Sequence, residues 1–83
     1  MIEVSQIIQV IKDAIKDADV RVANPQKDGL HFDAVVISSL FVEKSLVEQH
    51  QMVKTALKKL FDSKLHALSL RTYTPEEWRR VGK

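Results

Sequence analysis

Leu65-His66-Ala67-Leu68-Ser69-Leu70-Arg71-Thr72-Tyr73-Thr74-Pro75-Glu76-Glu77-Trp78 carries two structural signals in one short run. From Leu65 to Thr72 the residues alternate. His66, Leu68 and Leu70 share one side, and Leu65, Ala67 and Ser69 the other, which is the period of a strand. Thr74-Pro75-Glu76-Glu77 then reads as a helix start. The Thr74 hydroxyl can cap, Pro75 suits the first helical position because no N–H is needed there, and Glu77 can complete a capping box. A short terminal helix carrying Trp78 is expected to follow.

Working back toward the N-terminus, Asp62-Ser63-Lys64 breaks a helical pattern that runs from Leu46 to Phe61. Leu46, His50, Val53, Leu57, Leu60 and Phe61 form its apolar stripe, and Lys54 and Lys58 lie off it. Ser39 to Ser45 has no regular period. His31 to Ser38, rich in Val and Ile, reads as a strand. Asn24-Pro25-Gln26-Lys27-Asp28-Gly29 is a turn by composition. Before it, Val20 and Val22 alternate with Asp19 and Arg21 in a short strand. Ile2 to Ala18 reads as an amphipathic helix, with Val4, Ile7, Ile8, Ile11, Ala14, Ile15 and Ala18 on one face. The order is therefore α-β-β-α-β-α. The short loop makes the first two strands an antiparallel hairpin. The helix between the second and third favours a right-handed crossover and parallel pairing.

The 83 residues allow one core and leave no room for a second domain, so a single domain over 1–83 is expected. A chain 45% hydrophobic and 29% charged has an ordinary globular composition, and a net charge of +2 permits an anionic partner without requiring one. Cysteine is absent, which excludes a disulfide framework, a thiol nucleophile and a metal site built from this chain's own thiolates. No signal peptide and no apolar run long enough to span a bilayer is present, so a cytoplasmic protein with no membrane contact is expected.

Several of these stretches resemble the BolA family. They are His31-Phe32 entering a Val/Ile strand, Leu40-Phe41, Leu46-Val47 opening a helix, and Leu65-His66-Ala67-Leu68 followed by Thr72-Tyr73-Thr74-Pro75-Glu76-Glu77-Trp78. The likeness covers roughly residues 3 to 80, and Asp28-Gly29 to His31-Phe32 resembles the short-loop bacterial members. It implies an α+β fold like the class II KH domain, with three mixed strands and helices packed on one face. It also implies a monothiol glutaredoxin as partner and a [2Fe-2S] cluster shared with it, glutathione being supplied by the partner. Family members are also described as DNA-binding transcription regulators. The chain departs from the family pattern in three places. Phe41-Val42-Glu43 stands where Phe-x-Gly is common, Gln49-His50-Gln51 where Arg-His-Arg is common, and Asp28 near a position often held by a Cys or His ligand.

The candidate site residues follow from both readings. By spacing alone, His66 beside two leucines is a core histidine with its nitrogens hydrogen-bonded; the resemblance makes it a metal ligand. A neutral imidazole can replace a thiolate at an iron of a [2Fe-2S] cluster, and the missing thiolates would come from a glutaredoxin cysteine and glutathione. His31 is either an outward polar residue or the second ligand. His50, on the apolar stripe, reads as packed or half-buried. Three histidines without an H-x-x-x-H type of spacing make no zinc site. The lysines, Lys54, Lys58 and Lys59 among them, are ordinary solvated charge or a phosphate-contacting surface. With only Gly29 and Gly82 in the chain, the G-x-x-G clamp of KH domains on RNA is missing. Trp78 is expected to staple the last helix onto the sheet as a core residue, with an interface anchor as the alternative. No nucleophile elbow, phosphate loop or convincing carboxylate pair is present, so an enzyme is not expected. The free chain is expected to be a monomer or weak homodimer.

Overall fold

The apolar residues that recur at helical steps near the N-terminus form α1 (Val4–Ala14), whose Ile7 and Ile11 are fully buried. The computed structural model describes residues 3–24, 31–61 and 67–81. Along them follow β1 (Asp19–Ala23), β2 (His31–Ile37), a 3-10 turn (Ser39–Phe41), α2 (Leu46–Phe61), β3 (Ala67–Tyr73) and α3 (Pro75–Arg80). The expected α-β-β-α-β-α order is the one found. The break at Asp62-Ser63-Lys64 and the start of the third strand at Leu65 and His66 lie outside the described residues.

α1 stops short of the expected Ala18. Ile15 takes extended backbone (φ −121, ψ 91), and the chain then turns so that the Asp17 carboxylate meets the end of β2. It accepts hydrogen bonds from the Ser38 hydroxyl, the Ser39 hydroxyl and the Ser39 N–H, the last at 3.0 Å. Ile15 and Ala18 remain buried through this turn, so the apolar spacing persists where the helix does not.

The sheet has the order β1-β2-β3. β1 runs antiparallel to β2, from Asp19 opposite Ile37 to Ala23 opposite Asp33. β2 runs parallel to β3, from His31 opposite Ala67 to Ile37 opposite Tyr73. β2 is therefore central. Alternation turns Val20, Phe32, Val36 and Leu70 toward α1 and α2, where they join Ile7, Ile11, Ile15, Phe41, Val53 and Leu57 in one core. Phe41 is 0% exposed and closes that core from the 3-10 turn.

Two features of the β2–α2 connection carry weight. Glu43 adopts φ 67, in the left-handed region, at the position where the family often has glycine. Gln49 is buried in the first turns of α2. Its amide nitrogen donates to the carbonyls of Phe41 (3.2 Å) and Lys44 (3.0 Å), and its amide oxygen accepts from the Thr72 hydroxyl (2.6 Å). One side chain thus ties the connection, α2 and β3 together. Ser45 starts α2 with a capping pair, its hydroxyl accepting from Glu48 N–H while Glu48 Oε1 accepts from Ser45 N–H.

The α2 boundaries are those expected, and Val53 and Leu57 are buried as the stripe requires. Leu46 is not: it is 63% exposed. At the first position of α2 it borders a surface hollow with Thr72, Tyr73 and Val81. The expected helix packing on one face holds for the two long helices. α3 begins with the expected Thr74 capping box, yet carries no buried residue. Trp78 stacks at 5.3 Å on Tyr73 and under the Arg21 guanidinium at 5.1 Å. Arg21 lies between Val20 and Val22 and so points away from the core. Trp78 therefore staples α3 to the sheet's opposite face and is half-buried, not a core residue.

Candidate functional site

His31 opens β2, and Phe32 follows it. Phe32 is 2% exposed and locked into the core, which sends the His31 side chain to the other face of the strand, where it is half-buried. Because β2 and β3 are parallel, they begin at the same end of the sheet, and His31 is registered opposite Ala67. Beside this edge β1 ends at Ala23, and the next residue, Asn24, has a buried Oδ1 with no hydrogen-bond partner among the described residues. His66, the residue before Ala67, lies outside the described residues. Among the described residues no three His, Cys, Asp or Glu side chains converge to hold a metal.

The other sequence candidates are spread elsewhere. Lys54 and Lys58 are exposed one turn apart on α2, so they share a face of that helix. Lys59 follows in the same helix; its side chain lies outside the described residues. His50 is half-buried on α2, as expected of a packed histidine. The lysines and His31 belong to separate elements, and nothing in the described geometry joins them into one site.

Sequence reasoning missed three features. Gln49 figured only as a lost basic residue, whereas it is a buried polar hub. Asp17 falls within the span Ile2 to Ala18 read as the first helix, with nothing in that spacing to single it out. It is exposed, yet the Ser38 and Ser39 hydroxyls that donate to it hold its carboxyl below the ordinary carboxylate range, against a smaller opposing effect of burial. The large apolar side chains left exposed, Leu40, Val42, Leu46, Val47 and Val81, belong to the segments after β2 and to the end of α3. Of these, Leu46 and Val81 border one hollow with Thr72 and Tyr73. No helix among the described residues is long and apolar enough to cross a membrane.

The model of the family described as BolA-like protein matches residues 4–77. The acid stress protein IbaG of Escherichia coli is 34% identical over 82 residues, which is 98% of this chain and 94% of that protein. A solved BolA homologue from Coxiella burnetii superposes with a TM-score of 0.81 at 36% identity, covering 96% of this chain and 100% of its own. The DNA-binding transcriptional regulator BolA of Escherichia coli is 35% identical over 48 residues, 58% of this chain and 46% of that protein.

Proposed function

This chain belongs to the family of BolA-like proteins, and from that premise we propose that it is a non-catalytic adaptor in iron–sulfur cluster assembly or trafficking. It shares a [2Fe-2S] cluster with a monothiol glutaredoxin, His66 being one ligand and His31 the second.

The observation that carries this reading is the parallel register. His31 stands opposite Ala67, adjacent strands are about 4.8 Å apart, and His66 is bonded to Ala67 with a Cα separation of about 3.8 Å. Both histidines therefore belong to one end of the sheet, where a docking partner can offer an iron site to each. The donor chemistry supports sharing. The chain has no cysteine, so its imidazoles can fill only part of a cluster's coordination, and thiolates from the partner's cysteine and from glutathione complete it. Replacing thiolate by neutral imidazole at one iron raises the potential of a [2Fe-2S] centre. Phe32, buried directly beneath His31, holds the strand that presents the ring.

The test is spectroscopic. The chain is mixed with a monothiol glutaredoxin, iron, sulfide and glutathione, and visible absorption and circular dichroism are compared with the glutaredoxin alone. A changed spectrum that weakens or disappears with His66→Ala supports the reading, and His31→Ala tests the second ligand. A wild-type mixture indistinguishable from glutaredoxin alone overturns it.

A second reading rests on a different surface. Lys54 and Lys58 present two cations on one face of α2, and a relative covering part of the chain is named a DNA-binding transcriptional regulator. Duplex-DNA affinity should then fall steeply with salt and drop in the Lys54→Gln/Lys58→Gln variant. Binding weaker than about 100 μM at physiological salt would lie at or beyond the weak end of non-specific affinity and remove this reading.

A further inference from the structure

Among the described residues, the face of the sheet turned away from α1 and α2 is covered at one end only. Alternation sends Arg21, Asp33, Val35, Ser69 and Arg71 to that face, and Trp78 of α3 covers the end near Tyr73. Toward the His31 end lies a hollow of about 180 Å³ lined by Asp33, Ala34, Val35, Ser69 and Arg71. Ala34 is 1% exposed with its methyl in the core, so it contributes backbone only. Val35 is the apolar member of the lining.

The charges around the hollow are ordered. Asp33 is registered opposite Ser69, and Val35 opposite Arg71. Arg71 therefore sits one strand across and two residues along from Asp33, a Cα diagonal of about 8 Å from ordinary strand spacings. These opposite charges make no ion pair with each other among the described residues. The guanidinium on the far side of Val35, Arg21, is already occupied: it lies 3.3 Å from Asp19 and over Trp78. Asp33 can only accept hydrogen bonds, Arg71 can only donate them, and Ser69 between them can do either.

A ligand matched to this layout carries a cation at the Asp33 end and a carboxylate at the Arg71 end, close together. A phosphate would satisfy Arg71 but meet the Asp33 carboxylate, and a simple amine would leave Arg71 without a counter-charge. We propose that this hollow binds the zwitterionic headgroup of an α-amino acid, either free or as the γ-glutamyl end of glutathione. The charged groups are open to water, so the affinity is millimolar. The inference does not depend on the cluster reading, and its test contains neither metal nor glutaredoxin, so either can fail alone.

The experiment titrates the isotopically labelled chain by NMR with L-glutamine, S-methylglutathione, N-acetyl-L-glutamine and inorganic phosphate, each to about 10 mM, the range of weak millimolar binding. S-methylation blocks the thiol and leaves the γ-glutamyl headgroup intact; acetylation removes the ammonium. The backbone amides of Asp33, Ser69 and Arg71 are expected to shift with either or both of the first two ligands and with neither of the last two. Asp33→Asn and Arg71→Gln should each weaken the response about three- to fivefold, as loss of an exposed charge pair does. Both positions are exposed, and dispersed spectra confirm that the variants are folded. Tighter saturation by S-methylglutathione identifies the peptide as the ligand; equal or weaker saturation identifies the free amino acid. Equal shifts with phosphate or N-acetylglutamine reduce the hollow to a general anion patch and overturn the proposal. So does the absence of any shift.

Discussion

Gln49→Ala is the substitution from which most can be learned. The wild-type amide holds three groups at 2.6 to 3.2 Å: the Thr72 hydroxyl and the carbonyls of Phe41 and Lys44. Lys44 is exposed, and water replaces the lost bond there. Thr72 is 6% exposed and its hydroxyl is stranded, at about 1–3 kcal/mol. The buried Phe41 carbonyl keeps the bond it accepts from Lys44 N–H at 3.0 Å and loses only its second donor. A few tenths of a kcal/mol return through the better helix propensity of alanine. The net loss is about 2 kcal/mol, a large fraction of the total stability of a small domain. With a urea m-value of about 1–1.5 kcal/mol/M, the midpoint should fall by about 1.5 M with m unchanged. The companion experiment is a cycle with Gln49→Leu and Thr72→Val. Each single change strands its partner, whereas the double change removes both partners, and the Phe41 carbonyl keeps its bond from Lys44 N–H. The double variant should therefore be more stable than the sum of the singles by about 1–2 kcal/mol. Strict additivity, or a Gln49→Ala cost below about 0.5 kcal/mol, would refute the assignment of Gln49 as a buried hub.

Three further outcomes are expected. Glu43→Gly relieves a left-handed backbone that costs a residue with a Cβ about 1–2 kcal/mol and loses about 0.5–1 kcal/mol to glycine's greater chain freedom. The chain should gain about 0.5 kcal/mol, and a lower urea midpoint in the glycine variant would contradict the argument. Asp17 has its carboxyl pKa depressed in the folded state by the Ser38 and Ser39 hydroxyls. Its contribution is therefore complete above the ordinary Asp value of about 3.9 and lost as pH falls through the lower folded value. Asp17→Asn should destabilise the chain at pH 7, and the difference from the wild type should shrink as the pH falls below the ordinary Asp range. A difference that persists undiminished in acid would dismiss the carboxylate as its source. Thr74→Ala removes the hydroxyl that accepts from Glu77 N–H at 3.2 Å and should cost about 1 kcal/mol, with a change in Trp78 emission as α3 frays; unaltered emission and midpoint would show that the cap is idle.

What could be foreseen from sequence is what local spacing controls. The period from Leu46 to Phe61 returns α2 with its boundaries intact, and Thr74, Pro75 and Glu77 announce α3 because a capping box needs no distant partner. The crossover rule gave the parallel β2–β3 pairing without any knowledge of side-chain contacts. The misses share the opposite property. Ile15 and Ala18 continue the apolar spacing of α1, so nothing local marks the turn that Asp17 fastens to Ser38 and Ser39. The burial of Gln49 depends on a carbonyl eight residues earlier and a hydroxyl 23 residues later, in the next element. Leu46 obeys the stripe and still faces water, because what covers the first position of a helix is a tertiary matter. Trp78 reaches the face away from the core because its partners, Tyr73 and Arg21, come from the two edge strands. At the candidate site, the resemblance supplied the histidines, and only the register supplied the reason why His31 belongs near the start of β3.

The parallel pairing of β2 with β3 also orders events in time. A hairpin such as β1–β2 closes on neighbours in the chain and forms quickly. Each β2–β3 pair instead joins residues separated by the whole of α2, and that loop-closure entropy is spent before any ladder hydrogen bond is gained. The edge shared by His31 and Ala67 is thus among the last parts of the molecule to assemble. A nascent or partly melted chain has the first histidine in place without its counterpart, so under the proposed function competence to share a cluster across that edge arrives together with the finished native state.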